Sequence, residues 1–398
     1  MGRIKVLPDS VVRRIAAGEV IERPASVVKE LIENSLDADA KRIDVSIEEG
    51  GKKRIVVNDD GCGMDADDLR LALLPHSTSK ISKEEDIYRI VTLGFRGEAL
   101  SSIRSVSSLE IKSRMRGSEY GYFVRAEGDR IGNVTPCAAN FGTTVTVENL
   151  FFNLPARRKF LRSEQSETSH IVETVTKIAL CRFDVSFILT QKSQTLLRCD
   201  SSHEHLERIK SLFGEETGAS LLQGEADNSD AKASVFVAPP YLCRADARAI
   251  YTFVNNRCVR EETVRKALRD AFKEHLPPHK HPVAFIFVVT PPDAVDANVH
   301  PAKERIQLKK PALVYTAVRQ AIESALASVK RFFAGTTTSS FAQRHHQIEQ
   351  ALSDYLKEHH NVPTQKPLDV HFREFRKQEN LAEAQIPDGK FFTIHDTY

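Results

Sequence analysis

Val27-Val28-Lys29-Glu30-Leu31-Ile32-Glu33-Asn34-Ser35-Leu36-Asp37 carries two patterns at once. Val27, Val28, Leu31, Ile32 and Leu36 recur at helical spacing and form one apolar stripe. Glu30 and Asn34 stand four positions apart, so they share a face one turn from each other. A carboxylate and a carboxamide stacked this way can act on one small site. The first can take a proton from water, and the second can ligate a hard cation through its oxygen. On this stretch alone an acidic solvated helix face is the simpler explanation; the balance shifts with what lies downstream.

Working outward, Pro24 suits the first turn of this helix. Residues 9–22 read as an earlier amphipathic helix built on Val11, Val12, Ile15 and Ala16. On the other side, Ile43, Val45 and Ile47 alternate like a strand, Glu49-Gly50-Gly51-Lys52 makes a turn, and Ile55-Val56-Val57 returns. The return strand runs into Asp59-Asp60-Gly61-Cys62-Gly63-Met64. Residues 70–102 are long, polar and punctuated, as functional connections often are. Strand-like pieces follow at 107–113, 120–126 and 142–148, then a helix at about 164–182.

A second unit begins near residue 205. It holds Val235–Ala238, Ile250–Arg257, a helix at 261–275, a buried strand at Val283–Val289, a loop at 296–303 and a closing helix at about 311–330. The mixture predicts an α+β fold in both units. From Gly335-Thr336-Thr337-Thr338-Ser339-Ser340 onward the chain reads as a linker and solvated tail, although six of its 14 histidines fall there. The expected division is 1–204, 205–333 and a tail over 334–398.

Length and composition bound the class. A chain of 398 residues has room for two or three cores, and 41% hydrophobic with 28% charged residues is ordinary for a soluble protein. A net charge of +2 means that any nucleic acid must be held by local patches. The cysteines at 62, 137, 181, 199, 243 and 258 form no CxxC pair, which argues against a zinc site or disulfide framework and fits a reducing compartment. Met1-Gly2-Arg3-Ile4-Lys5 does not open an apolar leader, and no apolar run is long enough to span a bilayer, so a cytoplasmic protein without membrane contact is expected.

Three further motifs bear on chemistry. Asp59, at a strand end before Gly61-x-Gly63, could accept a hydrogen bond from an exocyclic amine such as that of adenine, and the glycines would let backbone approach a flat ring. Gly94-Phe95-Arg96-Gly97 opens an apparent helix, where successive N–H groups can hold phosphate oxygens. Gly142-Thr143-Thr144 could add hydroxyl contacts from a strand. No P-loop pattern ending in Gly-Lys-Ser/Thr occurs, so a nucleotide site here would be of another kind.

In their order and spacing, Glu30…Asn34, Asp59-x-Gly61-x-Gly63, Gly94-x-x-Gly97 and Gly142-Thr143-Thr144 resemble the four nucleotide-binding motifs of the GHKL ATPases. Ile15-Ala16-Ala17-Gly18-Glu19-Val20-Ile21-Glu22-Arg23-Pro24, Thr92–Leu100, Asn153–Leu161 and Asn298-Val299-His300-Pro301-Ala302-Lys303 narrow the likeness to the bacterial-type MutL family of mismatch-repair proteins, over about residues 1–330. The resemblance implies a GHKL (Bergerat) ATP-binding α/β sandwich followed by a smaller α/β transducer domain. It implies Glu30 as the group that activates water, Asn34 as the Mg²⁺ ligand and Asp59 as the adenine-binding carboxylate. A lid over about 72–100 would bring Thr78, Lys80, Gly94, Phe95, Arg96 and Gly97 to ATP, with Gly63 and Thr143 lining the pocket. Lys303, from the second domain, would reach the γ-phosphate.

The same likeness implies an ATP-dependent homodimer, a mismatch-recognition partner of the MutS type, a downstream nuclease or helicase, and non-sequence-specific DNA binding. Candidate phosphate contacts are Arg157, Arg158, Arg257, Arg260, Arg265 and Arg269. In a bacterium the place of work would be the cytoplasm, at the nucleoid. Three departures stand out: Pro75 and Asp60 replace commoner residues, and Glu261-Glu262 follow Arg260 where relatives often keep an arginine used for DNA. No endonuclease motif of the Asp-Gln-His-Ala type occurs, so nicking is not expected of these residues. A topoisomerase-type GHKL module is the alternative, although the Asn153–Leu161 and Asn298–Lys303 strings fit MutL better. A histidine kinase would need a phospho-accepting helix ahead of residue 30. A scaffold without catalysis is disfavoured by the presence of Glu30, Asn34 and Lys303.

Overall fold

The structure is a computed structural model that describes Gly18 and residues 21–78, 97–128, 130–296 and 306–334. Most of the helix expected at 9–22, most of the lid, the Asn298–Lys303 string and the tail lie outside the described residues.

The opening stretch forms helix α1 (Pro24–Asp37), with Pro24 in its first turn. Its stripe of Val27, Val28, Leu31, Ile32 and Leu36 is buried. Strands β1 (Arg42–Glu48) and β2 (Arg54–Asp59) pair antiparallel through a short turn, with Ile43 opposite Asp59. Alternate residues of both strands are buried and the others half-exposed, as on a sheet packed on one face. Helix α2 (Ala66–Leu71) is capped by Asp65, and helix α3 (Ala99–Ser105) follows. The sheet continues with β3 (Ser108–Arg114), β4 (Gly121–Glu127), β5 (Arg130–Ile131), β6 (Thr135–Cys137) and β7 (Gly142–Glu148). After helices α4 (Pro155–Phe160) and α5 (Glu164–Cys181), the hairpin β8 (Ser186–Gln191) and β9 (Gln194–Cys199) completes it. Among the described residues the strand order is β5-β4-β3-β7-β2-β1-β8-β9, with β6 also on β4. The pair β1–β8 is parallel; its neighbours are antiparallel.

The chain then enters helix α6 (His205–Phe213) and the short α7 (Glu215–Ala219). A second sheet is built from β10 (Leu222–Asp227), β11 (Lys232–Val237), β12 (Ile250–Val254), β13 (Arg257–Cys258) and β14 (Ala284–Val289), in the order β10-β11-β14-β12-β13. Helices α8 (Glu262–Phe272) and α9 (Pro311–Ala334) cover one face of it. The continuous apolar run of β14 is explained by its two neighbours. Ala284, Ile286 and Val288 join the core under α8 and α9, whereas Phe285 and Phe287 join the core of the first unit. Burial on both faces is what makes a strand read as an unbroken hydrophobic run.

Helix α6 is the filling between the two sheets. Phe213 packs on Phe285, with ring centroids 5.1 Å apart. His205 stacks on Phe287 at 3.7 Å and meets Phe183 edge-on at 4.6 Å. Arg208 is fully buried and donates to the carbonyls of Phe183 (2.8 Å) and Val185 (2.6 Å) and to the Cys199 sulfur. The two Nη groups of this buried charge are taken up, which offsets much of its desolvation, while its Nε has no partner among the described residues.

His205 gives this junction a pH dependence. Burial among rings holds its pKa down at about 4, against an ordinary 6.5. Because the unfolded chain takes up the proton first, the stability from the neutral ring is fully present above pH 6.5 and is lost as pH falls toward 4. The loss should reach about 3 kcal/mol at most. Denaturant unfolding at pH 7.5 and 4.5 should therefore show a larger drop for the native chain than for His205→Phe. Equal drops would refute the assignment.

Candidate active site

The site forms where α1 crosses the end of β2. Asp59 is the last residue of that strand and is only 6% exposed. Its Oδ2 accepts from the Ser35 hydroxyl at 2.8 Å, and its Oδ1 accepts from the backbone N–H of Gly61 (3.0 Å) and Thr143 (3.2 Å). Burial pushes the carboxyl upward, against those three hydrogen bonds, and the nearby Asp60 charge adds to the upward push. Glu30 and Asn34 are half-buried on the same helix, and Asn34 is the residue immediately before Ser35. One hydrogen bond thus joins the helix that carries the opening pair to the strand-end carboxylate.

Two glycines are required by backbone proximity. Gly142 has φ +98°, and a Cβ there would stand 2.0 Å from the Asp59 carbonyl oxygen. Gly63 has φ +75°, and a Cβ would meet the Arg114 carbonyl at 2.3 Å. The sequence suggested that the glycines of Gly61-x-Gly63 make room for a ring. At Gly63 the close neighbour is instead the protein's own β3, which lets the loop fold down beside the carboxylate.

Beneath this loop lies a hydroxyl relay. Ser113, fully buried, accepts from the Met64 N–H at 2.8 Å, donates to the Gly142 carbonyl at 3.2 Å, and lies 2.9 Å from the Thr143 hydroxyl. Thr143 therefore stands in the site by both its N–H and its side chain. Thr144, expected to offer a hydroxyl, donates it to Asn58 at 2.7 Å instead, because alternate strand residues face opposite ways. Asp60, whose charge is felt at Asp59, accepts the N–H groups of Lys41 (2.7 Å) and Arg42 (2.8 Å) and so pins the entry to β1. Ser35 and Ser113 were not singled out from sequence; only Ser35's place next to Asn34 could have marked it.

Of the lid residues, Thr78 and Gly97 are described, while Lys80, Gly94, Phe95 and Arg96 are not, and neither is Lys303. The flanks of the segment meet. Gly97 has φ +64°, and a Cβ on it would lie 2.5 Å from the Ser77 carbonyl oxygen. His76 Nδ1 stands 3.1 Å from Glu98 Oε1. Residues 76–77 and 97–98 thus lie side by side just ahead of α3.

Among the described residues no group of three or more His, Cys, Asp or Glu side chains could cage a metal. Magnesium needs no such cage, since it keeps waters and takes phosphate oxygens alongside one or two protein ligands. The half-buried Asn34 beside Glu30 suits that requirement.

The six arginines considered for DNA divide. Arg157 donates to the carbonyls of Gly18 (2.8 Å) and Ile21 (3.2 Å), which ties α4 to the residues before α1. Arg257 is held inside, where burial lowers its pKa against the raising charges of Glu33 and Asp37. These two are occupied within the protein. Arg269 pairs with Glu262, Arg265 is half-buried, and Arg158 and Arg260 are exposed.

Comparison with known proteins agrees with this geometry. Residues 21–130 match the family described as histidine kinase-, DNA gyrase B- and HSP90-like ATPase. Residues 209–327 match the family described as DNA mismatch repair protein, C-terminal domain. The MutL of Geotalea daltonii is 39% identical over 362 residues, which cover 89% of this chain and 60% of that relative. The MutL of Pseudomonas fluorescens is 42% identical over 332 residues, covering 82% and 52%. Among solved structures, the N-terminal domain of a DNA repair protein superposes with a TM-score of 0.66 at 25% identity, covering 78% of this chain and 96% of that one. The Aquifex aeolicus MutL ATPase domain complexed with ADP gives 0.52 at 28% identity, covering 75% and 98%. Fold and pocket thus define an ATPase domain of the gyrase B and HSP90 class. The chain belongs to the MutL family of DNA mismatch-repair proteins, and it spans 50% to 60% of the length of curated relatives it matches.

Proposed function

We propose that this chain is a Mg²⁺-dependent ATPase that works as a conformational switch in mismatch repair. The observation that supports the reading is the Ser35–Asp59 hydrogen bond, which joins the helix that carries Glu30 and Asn34 to the buried carboxylate. Asp59 receives the adenine amine, Thr143 and Gly63 frame that end, and Asn34 holds the metal. Glu30 orients water and takes its proton. The metal, when bound, neutralises charge on the leaving diphosphate. Lys80, Gly94, Phe95, Arg96, Gly97 and Thr78 close over the phosphates as a lid, and Lys303 senses the γ-phosphate as a second cation.

Residues 1–204 form the ATPase domain and 205–333 the transducer, and the edge-on contact of His205 with Phe183 joins them. The γ-phosphate is the ligand that separates the two states, so its presence can set the lid and the dimer. Arg158, Arg260 and Arg265 are the candidate contacts to DNA phosphates, which gives binding that is salt-sensitive and indifferent to sequence. The ADP complex of the Aquifex aeolicus relative supports nucleotide binding here. A mismatch-recognition protein of the MutS type and a downstream nuclease or helicase are the proposed partners. Among the described residues no helix is long and apolar enough to cross a membrane.

Light scattering tests the switch. With Mg²⁺ and a non-hydrolysable ATP analogue the molar mass should double, and it should not do so with ADP. A mass unchanged by the analogue would leave a nucleotide-binding module without nucleotide-driven dimerisation.

A further inference from the structure

A neighbouring face of α1 meets the second unit. Glu33 lies about 60° around the helix from Glu30, and Asp37 follows it by one turn. Glu33 lines a cavity of about 120 Å³ together with Lys29 and Leu36 of α1, Cys181 of α5, and Asn256–Arg260 of the second unit. Arg257 enters this cavity from the β12–β13 hairpin, where it pairs with Val254 across the Asn255-Asn256 turn. Both turn residues have positive φ, 47° and 59°, which suits a tight two-residue hairpin and fixes the direction of the next side chain. Glu33 and Asp37 are the carboxylates whose charges act on Arg257, and its guanidinium is largely withdrawn from water. A cation at this end of α1 also complements the helix dipole.

We infer that Arg257 is a positioning residue for hydrolysis: held in the cavity beside Glu33 and Asp37, it fixes the rotation of α1 and therefore the stance of Glu30 and Asn34. This rests on the proposed role of Glu30 in activating water. The transducer then influences catalysis through a contact outside the nucleotide pocket, on the same helix that carries the reacting carboxylate. A small rotation of that helix suffices, because catalytic groups lose rate steeply when displaced. Arginine suits the position because it keeps its charge when buried, and it adds to the Lys29 ammonium that meets Glu33 at 3.7 Å.

The test measures steady-state hydrolysis and nucleotide-analogue affinity on the same 398-residue chain. Arg257→Met should lower kcat about tenfold or more and leave the Kd for the analogue within about twofold. Glu33→Gln, which keeps the side chain's size, should shift kcat in the same direction and serves if the methionine variant fails to fold. The exchange Glu33→Arg with Arg257→Glu should recover at least about threefold over the slower single exchange. Wild-type kcat in both Arg257→Met and Glu33→Gln would overturn the inference, as would an exchange no faster than its slower single variant. Glu30→Ala separates the two levels. If Glu30→Ala is inactive while Arg257→Met is unimpaired, only the positioning role falls. If Glu30→Ala hydrolyses normally, the base assignment falls and takes this inference with it.

Discussion

Asp59→Asn is expected to weaken ATP and ADP binding by about 10- to 100-fold while the domain stays folded, on the worth of a hydrogen bond to a charged group. The side chain is nearly inaccessible and receives three donors. The amide oxygen of the variant can keep the Gly61 and Thr143 N–H groups, so the strand end and the loop retain their shape. The amide nitrogen must then take the place of Oδ2. Ser35 can adapt, since its hydroxyl also lies 3.1 Å from the Leu31 carbonyl. The adenine amine cannot: it would face a donor where it needs an acceptor, inside a site that water cannot reach to compensate. Calorimetric titration with ADP measures the loss, and a thermal melt within a few degrees of the wild type shows that the fold is kept. Unchanged affinity in the variant would remove Asp59 from the nucleotide site.

The parts of this site that were readable in sequence are those with a period. The Val27–Leu36 stripe announces α1, and the alternation of Ile43, Val45 and Ile47 announces β1, because each burial pattern is written along a single element. Ser35 and Ser113 were not readable: a hydroxyl carries no period, and what each contributes depends on a partner far away in the chain. Helix α6 was missed for a related reason. Its inward face includes His205 and Arg208, which look like surface residues until Phe287 and three acceptors surround them. The arginines show the opposite error. Sequence gives Arg157 and Arg257 a charge suited to DNA, but not the carbonyls to which Arg157 donates or the burial that draws Arg257 inside the fold. Thr144 and Asp60 stand one residue from site positions, and in strands and tight turns one residue is enough to turn a side chain away.

Glu30→Ala should reduce ATP turnover by about 10²-fold or more, the usual contribution of a positioned general base. Nucleotide affinity should stay within about twofold, since an interaction made with the attacking water is felt in kcat and not in ground-state binding. The reason lies in the layout of α1. Glu30 and Asn34 share a face, whereas the helix is anchored by its buried stripe and by Ser35 on Asp59, neither of which involves the Glu30 carboxylate. Truncation should therefore leave the helix, the metal ligand and the adenine end in place. The variant should accumulate with ATP bound, so its mass with ATP and Mg²⁺ should match that of the wild type with the non-hydrolysable analogue. The most direct measurement is single-turnover hydrolysis of Mg²⁺–ATP by Glu30→Ala, with binding recorded in the same samples. Tight binding with hydrolysis suppressed by about 10²-fold is the result expected of a base at this position; hydrolysis at the wild-type rate would contradict it.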